Sequence, residues 1–428
     1  MRPRHWVRVV VCVVVSTVVA ACGAGGAANR TADGRTELTV ATFNEFGYEE
    51  LFREYEAAHP DVKITPRKTG QGAPHHQNLF TKLGAGSGLA DVEAVEEGYL
   101  SQVMARSDQF HDLLEIGPEA VTPDRWLRWK VEAATTRNGR LIGYGTDIGP
   151  LALCYRKDLF AEAGLPSEPD DVRQLFATWD SYFAAGDRFV AAVSGVAWFD
   201  SAAQIFNAMH NQHDVGYFDT SDTLVVESNP DIRNDWNAVT NAVARGQSAK
   251  LTAFSNEWNT GFKLGRFATT TCPSWMLGVI ETQAGPENAG KWAVTDAFPD
   301  GGGNWGGSYL TVPKQSRNAG KAAELAAWLT APEQQIKAFQ ARGTFPSQID
   351  ALENRALLEQ VNPYFDNVKA GALFAAQVQK VKAAQHKGPA DGQIQEDAFG
   401  PALRSVEQGK NANDAWGTAV KEAKKIAG

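Results

Sequence analysis

The chain has 428 residues, 43% of them hydrophobic and 21% charged, with a formal net charge of -9. That is the balance of a globular chain too long for one hydrophobic core. Its acidic surface excludes nucleic acid and polyanionic substrates, whose phosphates need a Lys/Arg groove. No Cys/His spacing suits zinc, so neither a metal nor a cofactor is expected.

Arg2, Arg4 and Arg8 precede an apolar run, Val9–Val19, and then Ala20-Ala21-Cys22. This is the layout of a secretory signal over residues 1–21. The run is about half the length of a membrane-spanning helix. Removing it takes away three arginines and moves the net charge from -9 to -12. Cys22 after two alanines resembles the lipobox of bacterial lipoproteins, with Val19 where that motif usually has leucine. The resemblance implies a lipid on Cys22; the alternative is an ordinary signal cleaved without lipidation. Residues 22–36, mostly Gly, Ala and small polar side chains, read as a flexible tether.

Glu37–Phe43 alternates as a strand, and Tyr48, Leu51, Phe52 and Tyr55 recur at helical spacing up to His59-Pro60. Val62–Thr65 is a second strand, Gln77–Leu83 a helix, and Asp91–Val95 a third strand. His75-His76 stands in a Gly/Pro-rich stretch and reads as a polar loop rather than a metal site. This alternation implies a parallel sheet with helices on both faces, and in such sheets ligands bind at the carboxyl ends of the strands. Asn44, Glu45, Glu96 and Glu97 therefore face the expected site. Further on, Leu151–Tyr155 is a strand, Lys157–Ala163 a short helix and Asp170–Ala185 a longer one. Asn229-Pro230 opens another helix, Gly265–Thr271 returns to a strand, and helices dominate from Ala319 onward.

Cys154 and Cys272 each follow an apolar run, and the reading leaves open a disulfide or two buried thiols. Trp126, Trp129, Trp179, Trp236 and Trp328 fall within helical patterns and read as core. Trp198, Trp275 and Trp305 stand beside Gly, Pro or Asp at strand ends and are weighed as ligand contacts.

Taken in order, FNEFGYEELFREYEAAHPDVKIT, GLADVEAVEEGYL, LIGYGTDIGPLALCYRKDLFAEAGLP, FATTTCPSWMLGVI, GGSYLTVPKQSRNAGKAAELAAWLTAPEQQ and GTFPS resemble the extracellular solute-binding proteins of carbohydrate ABC transporters, the maltose-binding-protein-like group. FNEFGYEEL, EEGY, YGTDIGP, CPSWMLG and NWGGSYLTVPKQS look closest to actinobacterial cello-oligosaccharide-binding lipoproteins. The resemblance covers essentially the whole mature chain. It implies an α/β, two-domain periplasmic-binding-protein-like fold with a hinge and an interdomain ligand cleft. One lobe would hold residues 37–146 and 308–360, the other 147–307 and 361–428, with crossings near Tyr144–Gly149, Asn304–Ser308 and Val361. The implied partners are an oligosaccharide and an ABC permease driven by a cytoplasmic ATPase. The chain itself would be a monomer tethered to the outer face of the membrane.

A sugar presents hydroxyls at its edge and C–H patches on its faces, so its site needs carboxylates, amides and flat rings. Asn44, Glu45, Glu96, Glu97, Asp147 and Asp200 supply the polar groups; Trp198, Trp275, Trp305 and Phe345 supply the rings. By resemblance, Trp275 holds the stacking position. A secreted glycosidase would show the same residue types and use two carboxylates as its catalytic pair, so Glu45 with Glu97 is the rival reading. Binding of another solute, such as xylobiose or a polyamine, is the third. The full-length resemblance to non-catalytic proteins and the absence of a nucleophile elbow favour binding without catalysis.

Overall fold

The computed structural model describes residues 29–381 and 385–428. The secretory signal and the proposed lipid site, Cys22, lie outside the described residues. Asn29–Arg35, expected to belong to the tether, instead closes a turn against the first strand: Thr31 N–H donates to the Arg35 carbonyl at 2.9 Å, and Glu37 N–H to that of Asn29 at 3.0 Å.

Two sheets organise the chain. The first has the order β2-β1-β3-β10-β4, from β1 (Thr36–Phe43), β2 (Val62–Thr69), β3 (Val92–Glu96), β4 (Gly143–Gly145) and β10 (Ser308–Thr311). β1 runs parallel to β2 and β3, whereas β10 is antiparallel to β3 and β4. Helices α1 (Glu49–Ala58), α2 (Gly72–Ala85) and α3 (Glu97–Met104) link its first strands, as the strand–helix alternation requires. The helix expected at Gln77–Leu83 begins earlier, so His75 and His76 are buried on α2 rather than in a loop.

The second sheet has the order β7-β8-β6-β9, from β6 (Leu151–Arg156), β7 (Ala197–Phe199), β8 (Phe267–Pro273) and β9 (Trp292–Thr295). β6 is central and buried on both faces. Because successive side chains point to opposite faces, Leu151, Leu153 and Tyr155 join one core and Ala152 and Cys154 the other. Cys154 and Cys272 lie diagonally across β6 and β8 and are joined, their Cα atoms 5.4 Å apart. The second core also takes in Ile336, Phe339, Phe345, Ala351 and Leu357 from the returning chain. The single helix expected over Asp170–Ala185 is broken in two, Pro169–Val172 and Trp179–Ala192, because Thr178 and Ser181 form a capping box that starts a new helix. Asn229 caps the helix Pro230–Ala244 through Asp231 N–H, as expected.

Between the sheets, residues 146–151 and 303–308 run side by side. Thr146 N–H donates to Ser308 (2.9 Å), Trp305 N–H to Gly149 (2.8 Å) and Leu151 N–H to Gly303 (2.9 Å), all at carbonyls. A Cβ on Gly149 would lie 1.9 Å from the Trp305 carbonyl oxygen, so only glycine lets these strands approach. β5 (Asp147–Ile148) also pairs with β11 (Phe345–Pro346).

Candidate functional site

The paired crossing strands place residues of both sheets around one cleft floor. Trp275 caps the helix Met276–Ala284 at the end of β8. Its indole Nε1 donates to the Trp305 carbonyl at 3.2 Å, and the two rings meet edge to face at 6.0 Å. Both rings stay partly exposed. Gly306 lies between this aromatic corner and Glu96: a Cβ there would be 3.5 Å from Trp275 Nε1 and 3.6 Å from Glu96 Oε1. The indole edge of Trp275 and the Glu96 carboxylate thus approach one backbone position that carries no side chain.

Glu96 ends β3 and caps α3, its Oε2 accepting from Gly98 N–H at 2.8 Å. Its own N–H donates to His76 Nε2 at 2.9 Å, while His76 Nδ1 donates to the Gly72 carbonyl at 2.7 Å. Burial drives the His76 imidazole down to about 3, which keeps it neutral and in this tautomer. The same ring stacks on Tyr99 at 4.0 Å. Burial pushes the Glu96 carboxyl up to about 7, against the pull of Lys387.

Glu97 and Asp147 sit deeper. Glu97 Oε2 accepts from Asn304 Nδ2 at 2.9 Å, and Asp147 Oδ1 accepts from Ser308 N–H at 2.9 Å. Lys130, from the helix Arg128–Ala133, is fully buried beside them. Its ammonium lies 4.0 Å from Glu97 Oε2 and 3.8 Å above the Tyr309 ring, with no hydrogen-bond partner among the described residues. Burial raises both carboxyls and lowers the ammonium, and each opposes the other's shift. These groups tie the crossing strands to the first sheet more than they offer ligand contacts.

Asn44 and Glu45 are exposed after β1, Asn44 with a left-handed φ of 45°. Glu45 pairs with Lys68 at 2.5 Å and Arg342 at 3.3 Å, so its carboxylate is already engaged.

Three candidates belong elsewhere. Trp198 has no exposed surface and packs among Phe160, Phe176, Tyr182 and Phe189. Its place on β7, a strand covered on both faces, turns it inward. Asp200 is equally buried; its Oδ2 accepts from Trp258 Nε1 at 2.7 Å and Thr270 Oγ1 at 3.2 Å. Phe345 is buried against Phe339 and Phe374 because β11 pairs with β5 beneath the cleft.

Other site residues escaped the sequence reading. Phe254 is 38% exposed, holds a left-handed φ of 63° and leans toward Trp275 at 6.3 Å. Its carbonyl accepts from Gln71 of the first sheet's side at 3.4 Å. Lys130 carries no local motif that would single it out. A recess of about 600 Å³ is lined by Gln212, His213, Asp214 and Asp231.

Residues 50–361 match the family profile described as bacterial extracellular solute-binding protein. The chain belongs to the bacterial extracellular solute-binding protein family. A relative from Bacillus subtilis (strain 168), an arabinooligosaccharide-binding protein, is 30% identical over 392 residues, 85% of this chain and 84% of that one. The crystal structure of an extracellular solute-binding protein family 1 member superposes with a TM-score of 0.81 at 51% identity, over 92% of this chain and 100% of that one. The ABC transporter associated binding protein from B. animalis subsp. lactis Bl-04, in complex with beta-1,6-galactobiose, shares the fold: TM-score 0.78, 21% identity, 91% of this chain and 98% of that one. The expected α/β fold and family are those found.

Proposed function

We propose that this protein captures an oligosaccharide in the cleft between its lobes and hands it to the membrane permease of an ABC importer, without catalysing a reaction. The observation that carries this reading is the aromatic corner of Trp275 and Trp305 facing the Glu96 carboxylate across Gly306. Flat rings take the C–H faces of a sugar, and a carboxylate takes its hydroxyls. Closure of the lobes would follow from contacts the sugar makes with both at once. The Bacillus subtilis relative supports an arabino-oligosaccharide as ligand. The cello-oligosaccharide wording of the sequence keeps cellotriose as the second choice. A lipid on Cys22 would hold the protein at the outer face of the membrane, and release of a Cys22→Ala variant into the medium would test it.

Isothermal titration of the mature chain with arabinotriose, cellotriose, xylobiose, β-1,6-galactobiose and spermidine, followed by product analysis, tests the reading. Micromolar or tighter binding with the sugar recovered intact supports it. Cleaved sugar would make the protein a hydrolase, and binding of spermidine alone would discard the sugar.

A further inference from the structure

Helices α2 and α3 bury Leu79, Leu83, Leu100 and Val103 in the core of the first sheet. Two polar side chains on these helices reach away from that core to segments anchored in the others. Gln71, the residue before α2, donates from Nε2 to the Phe254 carbonyl at 3.4 Å. Phe254 lies between Leu251 and Trp258, both in the core on which Trp275 packs. Ser101 of α3 donates from Oγ to the Lys387 carbonyl. The chain after Lys387 runs into Ile394 and Phe399, in the core that encloses Trp198. Both acceptors are main-chain carbonyls, and neither donor belongs to the crossing strands. Glu97 N–H does touch them, donating to the Gly307 carbonyl at 3.0 Å. Ser101 stands four residues further along α3, about 6 Å away at the rise of a helix.

The contact at α3 is close. A Cβ on Gly392, in the helix Asp391–Ile394, would lie 2.8 Å from the Gly98 carbonyl oxygen and 3.5 Å from the Tyr99 ring. A bare backbone at 392 is what lets this segment meet α3. A rotation of one sheet against the other about the crossing strands would part both hydrogen-bonded pairs. We propose that Gln71 and Ser101 are closure latches, hydrogen bonds from the first sheet's helices to carbonyls of the opposite wall that stabilise the shut cleft without touching the sugar. A group that favours the shut form raises affinity for every ligand of that form by one common factor. A group in contact with the sugar instead discriminates among sugars. The latches therefore set how long a bound sugar is held and leave its choice to the cleft. The inference rests on the reading of a sugar cleft between two lobes and goes beyond it by naming residues that hold the lobes shut.

The test compares wild type with Gln71→Glu, Ser101→Ala, their double variant and Gly392→Ala. The last keeps both donors but sets a methyl group against α3, and alanine suits a helix better than glycine does. Melting curves confirm that each is folded. Arabinobiose, arabinotriose, cellobiose and cellotriose are titrated into each, and release is timed by stopped-flow tryptophan fluorescence. Each single donor variant is expected to lose about fivefold in affinity, the scale of one hydrogen bond, and the double variant and Gly392→Ala about tenfold or more. The factor should be the same for every sugar that wild type binds, and it should appear as faster release. Small-angle scattering without sugar reports any shut form that wild type already populates, which the double variant should lose. Wild-type affinity, release and radius of gyration in the double variant, or a loss confined to some of the sugars bound, overturns the latches and leaves the sugar reading intact. Wild type that binds none of the four sugars overturns both.

Discussion

The Trp275 indole donates its N–H to the backbone carbonyl of Trp305, 3.2 Å away, with the two rings nearly perpendicular at 84°. A residue at the end of a second-sheet strand is thereby fastened to the strand that crosses between the lobes. A ligand resting on Trp275 therefore acts on the same segment whose backbone pairs with Gly149 and whose next residues close on Asp147. On the proposed reading, binding and the crossing strands share these atoms.

Lys130→Met should be strongly destabilising although Lys130 makes no hydrogen bond among the described residues. Its removal leaves Glu97 and Asp147 buried without their cation, and breaking a buried pair costs about 3–5 kcal/mol. Adding Glu97→Gln should recover part of that loss. Urea unfolding of the single and double variants measures it, and a neutral Lys130→Met would assign the cluster no role.

Trp198→Ala should behave as a core truncation. The side chain is fully enclosed by aromatic rings, so the expected cost is about 3–5 kcal/mol of stability. Any protein that remains folded should keep its sugar affinity within about twofold, since the cavity lies outside the cleft. Denaturant melts paired with titration separate the two effects.

Stability should depend on pH through Glu96. Burial lifts its carboxyl from the ordinary 4.5 to about 7, so the folded protein holds a proton that the unfolded chain releases. That contribution is fully present below about 4.5 and is lost as pH rises to about 7. Glu97, Lys387 and Glu396 act on the same group and set how wide the window is. Without sugar, Glu96→Gln should therefore raise the melting temperature at about pH 8 and leave it nearly unchanged at about pH 4. An equal shift at both values would detach the effect from titration.

Reduction of the Cys154–Cys272 bond, which closes a loop across 118 residues of sequence, should lower stability by about 2–4 kcal/mol. Thermal melts with and without a reductant that penetrates the core test this, with Cys154→Ala/Cys272→Ala as the control.

Much of this was legible beforehand, for reasons that differ by residue. Strand–helix alternation made β1 to β3 and their loops readable, because a parallel sheet leaves its carboxyl-end loops at the site. That placed Glu96 and Glu97 at the carboxyl end of β3. Trp275 was readable because it ends a strand and begins a helix, where a ring stays partly exposed. Trp198 has the same kind of neighbours but lies on a strand covered from both sides, and one sequence does not reveal how many layers cover a strand. Asp200 follows it inward, and Phe345 is drawn under the cleft by pairing with Ile148, a contact made across nearly half of the chain. Lys130 comes beside Glu97 only through tertiary approach, which periodicity does not report. The early start of α2 hid His76, whose ring orients both Glu96 and Tyr99.

The most direct test of the central claim is to titrate the sugar that wild type binds best into Trp275→Ala under the same conditions. If the ligand rests on the Trp275–Trp305 corner, affinity should fall by about 2 kcal/mol, roughly thirtyfold, while the protein melts as a single folded species. Affinity equal to wild type would mean that the sugar binds away from this corner, and would contradict the account.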